Sequence, residues 1–364
     1  MYFKQSFGRD SPIVGGVTIE DVFEIIQAVV PELNEALSLR ISIMRELANS
    51  TSRVGRKTLA GKVYITERAL RTAIDSLREQ ALVDVNNAGI KLTAFGHRTI
   101  KAFDEVLSDS NRLIGLEHAV KQHLNIDHCW IVPGDADRDP KVFEAMSHIV
   151  QRALMSHLPL GRNVIAVTGG QTLATMGEYF NEDLSLEREL IFVPTRGGVG
   201  GSILIQSNSV GGLMAQKTQS TYIPLFIPEN INMDTSKILL MDPTIKKAIE
   251  LSQQADCLLL SVGAAEVMAE RRDITLKQHE KIIEGEAVGE AFGVFYDRHG
   301  QEVIRLPRIG IQIEDLERIP LVITVVGGAS KADATRAFFK LAPNHGWLIC
   351  DEGIANQVLK GETL

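Results

Sequence analysis

The sequence predicts an α/β chain in two parts: a small winged helix-turn-helix, then a larger doubly wound, Rossmann-like body. Three observations carry this reading. Charge is unevenly divided along the 364 residues. Glu35–Lys101 holds twelve Lys/Arg against six Asp/Glu, leaving 26 basic and 40 acidic residues elsewhere, so a front of +6 precedes a remainder of −14 within the overall −8. Inside the basic stretch, two short helical patterns run directly into a hairpin pattern. Beyond it, short apolar runs alternate with helical segments, and several of those runs end in paired glycines. The length exceeds one ordinary domain, and 45% hydrophobic residues suffice for packed cores. The expected divisions are an extension over 1–34, a winged helix over 35–96, a helical linker over 97–124 and the body over 125–364.

In the front, "EALSLRISIMREL" (35–47) sets Leu37, Ile41, Met44 and Leu47 on one helical face. Thr58–Val63 makes a short helix, Tyr64 and Ile65 a turn, and Thr66 an N-cap for a helix reaching about Gln80. In that helix Leu70, Ala73, Ile74 and Leu77 face inward, leaving Glu67, Arg68, Arg71, Thr72 and Asp75 toward the outside. "ALVDV" and "GIKLT", joined by Asn86-Asn87-Ala88-Gly89, form the hairpin. A helix-turn-helix followed by a hairpin is a winged helix, whose second helix enters the DNA major groove. Thr66, Glu67, Arg68, Arg71 and Thr72 are the expected reading residues, with Lys57, Lys62 and Lys91 suited to phosphates. A charged run alone is usually a solvated face. Here the basic excess coincides with the motif order, which favours DNA binding.

"HRTIKAFDEVLSDSNRLIGLEHAVKQHL" (97–124) reads as an amphipathic helix with a break expected near Ser108–Asn111, suited to joining head and body and to self-association as a dimer or tetramer. From about Asn125, the strands "NVIAVT", "ELIFVPT", "CLLLSVG", "IPLVITVVGG" and "GWLICDE" alternate with helices. Such a pattern implies a buried parallel sheet with helices on both faces, and ligands bind at the carboxyl ends of its strands. Three loops there share one chemistry. Gly169, Gly170, Gln171 and Thr172 offer amides at a helix start plus a hydroxyl; Gly327, Gly328, Ala329, Ser330 and Lys331 repeat this and add a cation; Arg196, Gly197 and Gly198 set a guanidinium beside glycines. Any one of these is more simply a tight strand–helix turn; three together point to a phosphorylated ligand. None is a Walker A loop or a full G-x-G-x-x-G, so ATP and NAD fit poorly. Glu266, Arg271, Arg272, Glu286 and Glu290 are further pocket candidates.

"GRKTLAGKVYITERALRTAIDSLREQALVDVNNAGIKLTAFG", "VTGGQTLATMGEYF", "FVPTRGGVGG" and "VVGGASKADATRAFFK" together resemble the SorC/DeoR-type family of bacterial sugar-responsive regulators, from about Arg40 to the C-terminus. The resemblance implies a repressor of glycolytic genes, induced by fructose-1,6-bisphosphate, with a body similar to sugar-phosphate isomerases and deaminases. It places the ligand phosphates on the Gly169–Thr172 loop, Arg196, Arg271 and Lys331, with the Glu290 region nearby. Gln171 stands where the family more typically has Thr or Ser. The alternative is an enzyme acting on a sugar phosphate. Related deaminases carry an Asp-Gly-His run after a central strand, and "SVGAAEVMAERR" has no His. No catalytic group, cofactor or metal is therefore expected. The opening "MYFKQSFGRD" lacks an apolar signal-peptide core, no run approaches the ~20 residues that span a membrane, and Cys129, Cys257 and Cys350 lack ligand spacing. A cytoplasmic protein with reduced core cysteines is expected.

Overall fold

The protein is described here by a computed structural model covering residues 31–198, 202–228, 233–272, 274–342 and 346–360. The extension expected over 1–34 lies outside this, apart from Pro31–Asn34. The chain divides into two compact units, with the change between Ile114 and Gly115.

In the first unit, helices α1 (Pro31–Ala48), α2 (Arg56–Lys62) and α3 (Glu67–Glu79) precede strands β1 (Val83–Asn86) and β2 (Gly89–Leu92). Leu70, Ala73, Ile74 and Leu77 of α3 are buried as their spacing requires, and they meet Ile43, Met44 and Leu47 of α1 and Leu59 of α2. The hairpin pairs Asn86 with Gly89, and Val54 bridges to Ile90 as a third, short strand. Gly89 has φ +127°, and a Cβ there would stand 2.8 Å from the Val54 carbonyl, so this turn requires glycine. Helix α4 (Ala94–Leu124) starts three residues before the expected linker and runs without the break expected near Ser108–Asn111. Thr93 explains the earlier start, because its Oγ1 accepts the Gly96 N–H at 2.9 Å.

In the second unit, β3 (His128–Val132), β4 (Gly161–Val167), β5 (Arg188–Pro194), β6 (Thr221–Tyr222), β7 (Cys257–Leu260), β12 (Leu321–Val326) and β13 (Gly346–Asp351) form one parallel sheet, in the order β3-β13-β12-β7-β4-β5-β6. Helices α5 (Val142–His157), α6 (Gln171–Gly177) and α7 (Ser207–Lys217) bury Met146, Leu154, Leu173, Met176 and Met214 in the main core against this sheet. Helices α8 (Met233–Leu239), α9 (Pro243–Gln253), α12 (Ala332–Leu341) and α13 (Glu352–Lys360) complete the layers. Cys129, Cys257 and Cys350 are free and buried.

The edge strands β3 and β6 were not expected from sequence, and neither was a second sheet. Around α10 (Ala265–Arg271) and α11 (Leu276–Glu284), strands β8 (Gly263–Ala264), β9 (Gly289–Ala291), β10 (Val294–Tyr296) and β11 (Glu302–Arg305) form a second, antiparallel sheet. The stretch from Gly285 to Gly300, read only as glycine-spaced carboxylates, contributes strands β9 and β10 to this sheet. Its strands are two to four residues long, too short for alternation to register.

Within this unit, Glu117 Oε1 accepts the Ile131 N–H at 2.9 Å. Burial raises its carboxyl to about 7, against the opposing pull of that hydrogen bond. A folded value above the unfolded one favours the neutral acid. The resulting penalty is small below about pH 4.5, grows as pH rises toward 7 and levels off above it. Glu117→Gln should therefore stabilise the unit by about 1–3 kcal/mol at pH 8 and by little at pH 4.5. Denaturant melts at both pH values check this, and a pH-independent difference contradicts it.

Candidate functional site

All strands of the parallel sheet point the same way, so the loops after β4, β5, β7 and β12 share one edge. The strand after β4 in sequence lies on one side of it (β5), and β7 lies on the other. That reversal is where α/β sheets open a crevice. Thr168 closes the floor: its N–H donates to the Leu259 carbonyl, and its Oγ1 accepts the Ser261 N–H at 3.2 Å.

The glycine loops are less open than their sequence suggests. A Cβ on Gly169 would meet the Ile205 carbonyl at 2.5 Å, and one on Gly197 would meet Ile227 at 2.1 Å, so both are glycine for packing. The Gly170 amide donates to the Ile205 carbonyl at 2.8 Å, although its Cα faces open space at φ +126°. Gly198 lies beside Gln206, and residues 199–201 lie outside the described residues. The expected amide cradle after β12 is already filled by the protein's own carboxylates. Gly328 N–H donates to Asp351 at 2.6 Å, Ala329 N–H to Asp135 at 3.2 Å, and Ser330 N–H to Asp137 at 2.9 Å. Those aspartates follow β3 and end β13, a juxtaposition that no local pattern announces.

Side-chain cations are the accessible chemistry. Lys331 Nζ donates to Thr172 Oγ1 at 3.1 Å and to the Gly327 carbonyl at 2.8 Å, which ties the loops after β4 and β12 together. Burial lowers the Lys331 pKa, Asp137 and Asp351 oppose this, and Arg271 adds to the lowering. Arg271 itself is exposed at the end of α10, whereas Arg272 turns inward and pairs with Glu290 at 2.7 Å. Glu290, in β9, also accepts the Gly293 N–H at 2.6 Å. Burial would raise the Glu290 carboxyl, but Arg272, Arg196 and Gly293 outweigh it and hold the group below its usual value. Of the three carboxylates named from sequence, Glu290 is buried, and Glu266 and Glu286 are exposed. Gln171 lies on its own helix, donating to Thr175 Oγ1 at 3.1 Å.

Two further guanidiniums complete this group. Burial, then the Arg272 charge, pushes Arg196 down to about 10, with Glu290 opposing. Burial, then Arg196 and Arg272, pushes Arg308 down to about 9, again against Glu290. Both stay charged at neutral pH. Arg308 Nη2 donates to the Thr195 carbonyl at 3.1 Å, and its guanidinium lies 5.4 Å from the Phe292 ring centre. Arg196 is fixed from the same side by its bridge to Gly310. Arg196, Arg272 and Arg308 thus converge on Glu290 in a poorly solvated place. Arg308 was invisible in the sequence, since "PRIGIQ" carries no strand or helix period.

In the first unit, Lys57, Lys62, Thr66, Glu67, Arg68, Arg71, Thr72 and Lys91 are all exposed. Thr66 caps α3 by accepting the Ala69 N–H at 3.2 Å, Thr72 donates to the Arg68 carbonyl at 3.3 Å, and Lys62 pairs with Glu46 at 3.3 Å. Arg53 braces the wing through the Asp84 carboxylate and the carbonyls of Asp84 and Gly89. The α3 face is therefore polar, basic and set on a packed scaffold.

A helix-turn-helix with a wing and a cationic crevice at a sheet's switch point match known proteins on both counts. Residues 37–107 match the CggR N-terminal DNA binding domain, and residues 108–360 match the sugar-binding domain called Sugar-bind. The chain is 34% identical over 342 residues to the central glycolytic genes regulator of Bacillus subtilis (strain 168), spanning 93% of this chain and 99% of that protein. The chain belongs to this family, within the SorC-type transcriptional regulators. The corresponding protein of Priestia megaterium is 33% identical over 94% of this chain. A solved SorC family transcriptional regulator from Enterococcus faecalis is 38% identical, covers 67% of this chain and 99% of its own, and superimposes with a TM-score of 0.64. The full-length sorbitol operon regulator of Klebsiella pneumoniae, 16% identical with a TM-score of 0.60 over 84% of this chain, shares the fold. This SorC-type protein is thus a DNA-binding, sugar-binding regulator and not an enzyme. Among its described residues, no helix is long and apolar enough to cross a membrane.

Proposed function

We propose that this regulator represses glycolytic genes and that a phosphorylated sugar, fructose-1,6-bisphosphate or a close relative, controls its grip on operator DNA. The observation that carries this is the convergence of Arg196, Arg272 and Arg308 on the buried Glu290 beside the sheet's switch point. Guanidinium forks of this kind suit a phosphate. A second cationic point, Lys331 on Thr172 and the start of α6, suits a second phosphate. Arg271 is placed to add to it. Glu290 serves as acceptor for sugar hydroxyls. The amides of Gly328, Ala329 and Ser330 contribute only if the ligand displaces a carboxylate from them. The central glycolytic genes regulators to which the chain is similar supply the link to glycolytic genes.

Control follows from coupling. A ligand that favours one arrangement of paired subunits changes how two heads fit two half-sites, and 1–3 kcal/mol of coupling alters affinity about 5–150-fold. The test is calorimetry of the full chain against fructose-1,6-bisphosphate, fructose 6-phosphate and unphosphorylated fructose. Sub-millimolar binding of the bisphosphate alone is expected, and equal affinity for fructose refutes the phosphate site. On the DNA side, Arg68→Ala and Arg71→Ala should each weaken binding to a duplex selected from a random pool by about 5–100-fold, while leaving bisphosphate binding unchanged. Unaltered mobility shifts in both variants misplace the reading helix.

A further inference from the structure

We propose that Tyr64 is a DNA-contacting residue of the head, packing its ring against the sugar–phosphate backbone at the entry to α3. Helix α2 ends in a capped turn. Val63 is its C-cap; Tyr64 N–H donates to the Gly61 carbonyl at 3.4 Å and Ile65 N–H to the Ala60 carbonyl at 3.0 Å. This is a helix stop whose middle residue must adopt a left-handed backbone, a place that favours glycine. Here it is tyrosine, at φ 55°. An L side chain in that conformation crowds the following carbonyl.

The side chain returns nothing to the fold, since Tyr64 is 95% exposed. Ile65, its neighbour, does pack on the head's core, and Thr66 caps α3, so the flanking residues account for the turn without the ring. The other non-glycine left-handed residues are Ala81, Asn125, Glu187, Gln219, Glu286 and Phe292. Five of these are small or polar, and Phe292 is buried. Tyr64 alone among them combines a large ring, full exposure and an unfavourable backbone.

Its position supplies the missing partner. Tyr64 lies two residues before the N-cap of α3 and four before exposed Arg68. In a helix-turn-helix, the N-terminal end of the second helix enters the major groove, and residues just before it lie beside a phosphate strand. A tyrosine there covers deoxyribose with its ring and donates its hydroxyl to a phosphate oxygen. Lys57, Lys62 and Arg68 in the same motif give the positive field that such a strand requires.

The experiment uses the full chain with Tyr64→Gly and Tyr64→Phe, binding a selected operator duplex and a scrambled duplex at fixed salt. Tyr64→Gly should melt at the same temperature or higher, because the turn is eased, yet bind both duplexes about 5–20-fold more weakly. A backbone contact carries no sequence preference, so the two duplexes should suffer equally. Tyr64→Phe, which keeps the ring, should lose about 2–4-fold. Wild-type affinity in Tyr64→Gly overturns the proposal; if Arg68→Ala still loses affinity, the α3 assignment stands without it. If Tyr64→Gly does not fold, a photoreactive benzoylphenylalanine at position 64 decides the matter. Crosslinking to DNA is the expected result, and crosslinking to another protein chain or to nothing overturns it.

Discussion

Replacing Glu290 with alanine should cost the body about 3–5 kcal/mol, the usual penalty for removing one partner of a buried ion pair. The change removes the carboxylate that pairs with Arg272 and attracts Arg196 and Arg308. It also leaves the Gly293 N–H without its acceptor. The loss should shrink when a sugar bisphosphate or high phosphate is added, since a bound anion then supplies the missing charge, and a ligand at 100 times its dissociation constant contributes about 2.7 kcal/mol. Chemical denaturation with and without 20-fold steps of phosphate measures both effects. A loss below about 1 kcal/mol, or one indifferent to anions, contradicts the view of this cluster as an anion receptor.

Arg196→Ala and Lys331→Ala should each weaken bisphosphate binding by about 100-fold or more, as expected when a desolvated charge contact worth 2–5 kcal/mol is lost. Operator affinity without ligand should stay within about twofold, because neither residue belongs to the DNA-binding unit. The two variants differ in stability. Arg196→Ala relieves repulsion on Arg308 but also removes a charge that favours the ionised Glu290, so the apo body should change little in stability. Lys331→Ala removes the donor that bridges Thr172 and Gly327 and should cost about 1 kcal/mol. Isothermal calorimetry and operator anisotropy, run on the same preparations, separate these outcomes. Ligand release of DNA at wild-type concentrations in both variants removes these residues from the site.

The helices and hairpin of the head and the central strands of the parallel sheet were legible in the sequence, whereas the Val54 bridge, the edge strands and the second sheet were not. The head was legible because its signals are local. Leu70, Ala73, Ile74 and Leu77 repeat at helical spacing, Thr66 caps, and Asn86–Gly89 turns, so each element declares itself within a dozen residues. The strands ending at Val167, Pro194, Leu260 and Val326 were legible for a related reason: strands buried on both faces are unbroken apolar runs. The site was legible only in part. Arg196, Lys331 and Thr172 announced themselves beside glycines, but the assumption that free amides would surround them did not survive, because an amide's partner is chosen by whatever chain passes nearby.

Composition and periodicity, then, determined by themselves that this chain has a basic reading head and a parallel α/β body with cations at its strand ends. Hydrophobic spacing and charge balance are properties of short windows, and a short window is enough to state them. Tertiary structure alone decided that Asp135, Asp137 and Asp351 would occupy the loop after β12, that Arg272 rather than Arg271 would meet Glu290, and that Arg308 would join Arg196. Electrostatic energy depends on distance and solvation, and residues more than a hundred positions apart acquire both only when the chain has folded.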